Sequence, residues 1–256
     1  MNRIDTLFET KKEQILSVFF TAGHPSLNDT LPIIQHLENA GADLVEVGMP
    51  FSDPMADGST IQHSSKVALQ NGMSLEVLFK QLELLRLIVT IPVVLMGYFN
   101  PVMKFGVERF IFMCQKVGVD GVIIPDLPLD IFRENYCEQF IRANVHNVLL
   151  ATPTACKERL QMLAAETQGF LYMVSSGSTT GGGLEPSRLV QLQIATGDVG
   201  NRAPILVGFG VKSHADFETV SQYGRGAVVG SAFIKLLEDS TNFKADIEFF
   251  VKSIKG

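Results

Sequence analysis

After its first residue, Asp43, the stretch DLVEVGMPFSDPMADGSTIQ, residues 43–62, contains three carboxylic acids, Glu46, Asp53 and Asp57. Glu46 ends a short apolar run, where burial would raise the pKa of its carboxyl and keep it able to donate a proton near neutrality. Asp57 follows in a loop rich in Pro and Gly, which can fold back so that two carboxyls face one substrate. Asp53 precedes a proline and is interpreted as a turn former or helix cap. Glu46 and Asp57 thus suggest acid–base chemistry, although spacing alone leaves helix caps and solvated acids open.

Glycine-rich segments suggest a second kind of site, one for phosphate. Gly208-Phe209-Gly210 and Gly230-Ser231 each follow an apolar run, and Gly181-Gly182-Gly183 follows another. Glycines expose backbone N–H groups to an anion without an obstructing Cβ. One such pair is more often a tight turn, but two on neighbouring strands favour phosphate binding.

The elements that position these residues repeat as a short apolar run followed by a segment of helical periodicity. The predicted strands are Ile15–Phe20, Leu44–Val47, Val93–Met96, Gly121–Ile124, Val148–Ala151, Phe170–Val174, Ile205–Val207 and Ala227–Val229. The predicted helices are Thr30–Ala40, Leu75–Val89, Val107–Val117, Ile131–Ala143, Lys157–Gln168, Pro186–Gln193 and Ala215–Gln222.

Runs that are apolar throughout are typical of parallel strands covered on both faces. Eight such units in 256 residues average 32 residues each, which fits a (β/α)8 TIM barrel. An open doubly wound sheet would show GxGxxG after its first strand, and FFTAGHPS lacks it. Without a linker or composition shift, we expect one α/β domain over residues 1–256 with short extra helices. Its function should lie at the carboxyl ends of the strands.

Composition excludes several classes of function. A net charge of −6 and scattered basic residues argue against nucleic-acid binding. The N-terminus lacks the apolar core of a secretory signal, and the longest apolar stretch, Leu84–Met96, is too short and too interrupted for a membrane span. We therefore expect a cytoplasmic protein with no membrane association.

Metal binding is not expected either. Cys114, Cys137 and Cys156 form no CxxC, and the five histidines form no HExxH or other ligand spacing. Reduced structural thiols are the simplest interpretation of the cysteines.

Seven strings in order resemble the tryptophan synthase alpha subunit: FFTAGHP, VEVGMPFSDP, MGYFNP, DGVIIPDLP, YMVSSGSTTG, GFGV and GSAF. They span nearly the whole chain. PFSDPMADGSTIQ is similar to the family signature, which usually has Leu and Pro where this chain has Met55 and Ser59. The resemblance implies a retro-aldol cleavage of indole-3-glycerol phosphate to indole and glyceraldehyde 3-phosphate, without metal or cofactor.

The resemblance also implies roles for individual residues. Glu46 matches the general acid–base residue, and Asp57 matches the acid that accepts a hydrogen bond from the indole N–H. Tyr172 matches an active-site tyrosine whose phenol could orient Glu46. Phe19, Tyr98 and Leu127 would form apolar walls, although each could be ordinary core. The expected phosphate-binding residues are Gly181, Gly210, Gly230 and Ser231.

Two departures limit these expectations. After the sixth strand the family usually has S-R-x-G-V-T-G, whereas this chain has SSGSTTG, with no Arg and the glycine at another position. Thr180 matches a family threonine linked to loop closure, and closure of this loop could differ here. Ser59 in place of Pro frees φ next to Asp57 and could loosen that loop.

A partner is implied as well, the tryptophan synthase beta subunit in an α2β2 complex. Pyridoxal phosphate would belong to that partner, because no lysine site for it is visible in this chain. The exposed apolar surface for docking would come from the loops after strands 2, 3 and 6, including Pro54, Met55, Phe99, Pro101 and Phe105. The alternative is a phosphate-binding barrel that acts mainly as a regulatory subunit with weak activity of its own. A phosphosugar isomerase, the third interpretation, leaves the PFSDP string unexplained.

Overall fold

The computed structural model describes residues 1–174, 186–208 and 210–256. Its strands are β1 Ile15–Thr21, β2 Leu44–Gly48, β3 Val93–Met96, β4 Gly121–Ile123, β5 His146–Asn147, β6 Leu149–Ala151, β7 Leu171–Val174, β8 Ile205–Gly208 and β9 Gly226–Val229. The first seven helices are α1 Arg3–Thr10, α2 Thr30–Ala40, α3 Ser59–Gln70, α4 Leu75–Gln81, α5 Leu85–Ile88, α6 Phe99–Phe105 and α7 Val107–Val117. The others are α8 Leu129–Asn135, α9 Cys137–Ala143, α10 Lys157–Glu166, α11 Pro186–Val199, α12 His214–Ser221, α13 Ser231–Asp239 and α14 Phe243–Lys255.

The strands form one sheet in the order β5-β4-β3-β2-β1-β9-β8-β7-β6, and every pairing is parallel. Only Val148 separates β5 from β6, so one stretch of chain pairs with β4 on one side and with β7 on the other. The sheet therefore closes on itself, and the predicted (β/α)8 TIM barrel is confirmed.

Alternation along each strand divides the core into two clusters. In β1, Ile15 and Phe19 belong to a cluster that fills the barrel, whereas Leu16, Val18 and Phe20 pack outward against the helices. Both faces of the sheet are thus apolar, which is why the strands read as continuous apolar runs.

The N-terminal end of the barrel is closed by α1. Ile4 and Phe8 join the inner cluster, and the ring of Phe8 lies 5.6 Å from that of Phe170. The Asn2 side chain accepts from the Ile4 amide and donates to the carbonyl of Asp120. Among the described residues, α1 therefore covers this end of the inner cluster, and a ligand site is expected at the carboxyl ends of the strands.

Several predicted boundaries differ from the structure. The helix predicted over 75–89 is α4, a 3₁₀ turn at Leu82–Leu84 and α5, and the one predicted over 131–143 is α8 and α9, separated by Tyr136. Tyr136 has φ −128°, outside the helical range. The expectation of short extra helices is met by α1 and α6.

Candidate active site

Glu46 lies inside the barrel and is completely buried. It belongs to β2, where its Cα pairs with Phe19 on β1 and with Val94 on β3. Burial among apolar side chains raises the pKa of Glu46 to about 7, partly opposed by a hydrogen bond from Ser17. Such a carboxyl can donate and accept a proton near neutral pH.

The two oxygens of Glu46 differ in their surroundings. Oε1 accepts a 2.7 Å hydrogen bond from the Ser17 hydroxyl. Oε2 is buried and has no hydrogen-bond partner among the described residues. One oxygen is therefore held, and the other is buried without a hydrogen-bond partner among the described residues.

Asp57 is held by Tyr98, which projects from the end of β3. The Tyr98 hydroxyl donates to Asp57 Oδ2 at 3.2 Å and accepts from the amide of Ala56 at 3.0 Å, while its ring lies 5.2 Å from that of Phe51. Burial raises the pKa of Asp57 to about 6. Burial and the neighbouring Asp57 raise the pKa of Tyr98 to about 12, so this phenol stays neutral.

A pocket at the carboxyl ends of β1, β2 and β3 joins these parts. Its space, including the open mouth, is about 370 Å³, and its lining includes Phe19, Thr21, Met49, Asp57, Ile61, Met96 and Tyr98. Glu46 does not line this pocket, but its strand partner Phe19 does. The structure therefore brings together Asp57, Phe19 and Tyr98 in one pocket, with Glu46 on the strand beside Phe19.

Two glycines make room for the aromatic walls. A Cβ on Gly48 would lie 2.7 Å from Phe19 Cζ, and a Cβ on Gly208 would lie 2.6 Å from the Tyr172 hydroxyl oxygen. Tyr172 is buried in the inner cluster, and burial together with the charges of Glu46 and Asp57 raises its pKa well above the usual range. A hydrogen bond from Tyr172 to Glu46 is absent among the described contacts; Ser17 makes that contact instead.

Leu127 and Ile123 belong to different core clusters. Leu127 is buried in the larger cluster, which also contains the pocket residue Met49, whereas Ile123 at the end of β4 belongs to the inner cluster with Phe19 and Tyr172. Leu127 comes four residues later, beyond the end of the strand. A place for Leu127 in the apolar wall stays a prediction.

The candidate phosphate residues lie at two loop ends. Gly230 precedes α13, and Ser231 is its first residue. The first intrahelical bond runs from the Ile234 amide to the Gly230 carbonyl, so the preceding amides have no partner within the helix. Gly210 follows β8 with a φ of 59°. Thr180 and Gly181 lie outside the described residues.

The sequence interpretation missed pocket residues such as Thr21, Met49 and Ile61, and it missed Ser17, which contacts Glu46. Ser17 precedes Phe19 by two positions on β1, so both side chains face the barrel interior. Strand alternation would have found it, but the run was interpreted as uniformly apolar. Phe105, expected in a docking surface, is buried against Phe79 at 5.5 Å between ring centroids.

Residues 6–253 match the family model described as tryptophan synthase alpha chain. The chain belongs to this family. Similar alpha chains come from Flavobacterium psychrophilum, 46% identical over 99% of this chain and 100% of the relative, and Christiangramia forsetii, 44% identical over 100% and 99%. Membership in the tryptophan synthase alpha chain family assigns the protein to tryptophan biosynthesis as a lyase and implies, in general, a beta-subunit partner.

Solved structures agree with the barrel. Mycobacterium tuberculosis tryptophan synthase superposes with a TM-score of 0.89 at 26% identity, covering 99% of this chain and 97% of that one. A mutant tryptophan synthase alpha-subunit from Pyrococcus furiosus gives 0.85 at 32% identity, with 95% and 98% covered.

Two further observations concern the described ranges only. No group of three or more His, Cys, Asp or Glu side chains there is arranged to hold a metal ion. Every helix in them is too short or too polar to traverse a lipid bilayer.

Proposed function

We propose that this protein cleaves indole-3-glycerol phosphate by a retro-aldol reaction, releasing indole and glyceraldehyde 3-phosphate. The observation that carries the proposal is the buried carboxyl of Glu46, with a pKa of about 7 and an Oε2 that has no hydrogen-bond partner among the described residues, beside Phe19, which lines the same pocket as Asp57. Acid–base catalysis is most effective when the pKa of the catalytic group lies near the working pH.

The proton transfers require one neutral carboxyl and one anion. Neutral Glu46 gives its proton to indole C3, which places positive charge on the ring and its nitrogen. Glu46, now a carboxylate, takes the proton of the adjacent side-chain hydroxyl. The hydroxyl carbon becomes an aldehyde, the carbon–carbon bond to C3 breaks, and its electron pair restores the aromatic indole. Glu46 ends neutral, ready for another turnover.

Asp57 has an electrostatic role in this proposal. As an anion it accepts a hydrogen bond from the indole N–H and stabilises the positive charge that develops on the ring. The Tyr98 hydroxyl fixes the position of Asp57 Oδ2 and lowers its pKa, which favours the anion. Two carboxyls in one site thereby take opposite protonation states.

The substrate's two ends fit different surroundings. Phe19, Met96, Ile123 and the ring of Tyr98 supply apolar surface for the indole. The unpaired amides at the start of α13, with Gly230 and Ser231, suit the phosphate, because the N-terminus of a helix favours anions. Gly210, Gly181, Thr180 and Leu127 remain proposed contributors.

We further propose that indole passes to a beta subunit in an α2β2 complex, with pyridoxal phosphate held by that subunit. Met55 supports a docking role for the loop after β2, because its side chain is 87% exposed although it is apolar. The regulatory alternative is not favoured, since the family match extends over residues 6–253.

The test is indole release by Glu46→Gln and Asp57→Asn variants of the isolated chain. We expect each to lose roughly 10²- to 10⁴-fold in kcat, because each removes a group that acts on charge in the transition state. The matched control is Asp53→Asn, which changes an exposed acid of the same loop. Circular dichroism and urea midpoints report on folding. Turnover near the original rate in both folded variants would overturn the proposal.

A further inference from the structure

The buried hydroxyl of Ser17 has a specific setting in the barrel. Its Cα neighbours on the flanking strands are Leu44 and Val228, both apolar members of the inner cluster. A hydroxyl buried there without a partner would be costly. Its hydrogen bond to Glu46 Oε1, at 2.7 Å, is the contact that satisfies it among the described residues.

Ser17 approaches Glu46 from the N-terminal end of the barrel. It precedes Phe19, the strand partner of Glu46, by two residues, which is roughly 6.6 Å of strand toward the N-terminal end. The bond therefore ties Oε1 toward the closed end of the barrel, away from the strand ends that carry the pocket. Oε2 is the oxygen left without a partner.

We propose that Ser17 is a positioning residue for Glu46: its hydroxyl donates to Oε1 and so directs the exchangeable proton of the acid to Oε2. In the neutral acid, an oxygen that accepts a hydrogen bond is the carbonyl oxygen, so the proton resides on the other one. In the carboxylate, the same donor stabilises the negative charge. One side chain thus serves both protonation states of the acid, which the proposed retro-aldol cycle requires, and in its catalytic meaning the inference rests on that proposed function.

The consequence for titration has a definite sign. A donor to a carboxylate favours the charged form, so removing it leaves burial less opposed, and the pKa of Glu46 rises. A hydrogen bond to a charged group corresponds to a shift of about one pH unit.

The experiment is a direct titration of Glu46 by difference infrared spectroscopy of the carboxyl band in the substrate-free protein, with Glu46→Gln identifying the band. The variants are Ser17→Thr, which keeps a hydroxyl, and Ser17→Val, which has nearly the same shape without one. Ser17→Ala provides a smaller side chain without a hydroxyl should Val disturb the packing. Ser64→Ala removes another buried hydroxyl, one that is paired with Thr21, and serves as the control.

We expect the Glu46 titration to move up by about one unit in Ser17→Val and Ser17→Ala, and to stay in place in Ser17→Thr and Ser64→Ala. The descending limb of the kcat/KM profile, where neutral Glu46 is lost, should move by the same amount. Unchanged titration in both hydroxyl-free variants, or an equal shift in Ser17→Thr, would overturn the assignment. The titration needs no substrate, so absence of indole release from the unmodified chain would overturn the proposed function and not the Ser17–Glu46 linkage.

Discussion

The Tyr98 hydroxyl bonds to Asp57 and to the amide of Ala56, and thereby connects the end of β3 to the loop after β2. Asp57 reaches its place through this contact rather than through its own strand, because it lies nine residues beyond the end of β2 at Gly48. Tyr98 also lines the pocket. A single phenol therefore sets the geometry of the second acid and forms part of the wall.

Replacing Tyr98 by Phe should lower indole release by about tenfold, the effect of losing one hydrogen bond to a charged group. Because that bond lowers the pKa of Asp57, its loss should raise this pKa above about 6. The anion is the active form, so activity should then decline at a higher pH on the acid side of the kcat/KM profile. Tyr223→Phe is the control, since Tyr223 follows α12 at the closed end of the barrel. An identical acid limb in Tyr98→Phe would contradict this.

Replacing Gly208 by Ala should impair activity by displacing Tyr172. The new Cβ would lie 2.6 Å from both Cε2 and the hydroxyl oxygen of that ring, which is buried and has little room to move. Overpacking of this kind costs about 1–3 kcal/mol. Gly197→Ala is the matched control. Among the described residues, no atom outside its own helix lies within 4 Å of the added Cβ, and Ala in place of Gly stabilises a helix by up to about 1 kcal/mol. Urea midpoints and indole release measure both; equal behaviour of the two variants would refute the steric argument.

Asp120 offers a test of stability separate from chemistry. Its carboxylate is buried and accepts from Arg3, Arg86 and the Val93 amide, which links α1 and α5 to the sheet. Asp120→Asn should lower the free energy of unfolding by about 3 kcal/mol or more, because the half-buried Arg86 loses its carboxylate partner and keeps only carbonyl acceptors. The kcat of the folded variant should be unchanged, since Asp120 lies at the N-terminal end of the strands and the active site of a TIM barrel lies at the opposite end. Glu138→Gln, which breaks an exposed pair with Arg142, should shift the urea midpoint little.

The raised pKa of Glu46 makes a prediction for stability against pH. The unfolded carboxyl has a pKa of 4.5 and the folded one about 7, so the folded state binds more protons between these values and stability falls as pH rises through that window. Glu46→Gln removes this dependence. From pH 5 to pH 8, the variant should gain about 2–3 kcal/mol relative to the original protein. If the urea midpoints of Glu46→Gln and of the original protein differed by the same amount at every pH in this range, Glu46 would not be neutral in the folded state.

The fold was predictable because its information is local. Apolar runs covered on both faces and glycines after helices mark the units of a parallel barrel, and each of the eight predicted strands overlaps one strand of the structure. The fifth, predicted as Val148–Ala151, overlaps β6 alone; the short strand β5 just before Val148 was not predicted, and there the chain pairs with β4 instead of β7. Such a change of partner leaves no local pattern.

The site was predictable only in part. Glu46 and Asp57 stand out in the sequence as acids in unusual settings, and the structure finds both with raised pKa values. Leu127 and Ile123 are four residues apart in similar apolar surroundings, and only the structure places them in different core clusters. Phe105 looks like an exposed loop residue and is instead packed under the helices.

The sequence by itself determined the strand-and-helix repeat, the family and the residue types available for acid–base chemistry, because periodicity and composition are properties of the chain. Only the tertiary structure decided which oxygen of Glu46 is held, that Ser17 holds it, and that Tyr98 anchors Asp57. These relationships join β1 to β2 and β3 to the following loop, and they depend on strand register and burial, neither of which is encoded by spacing along the chain.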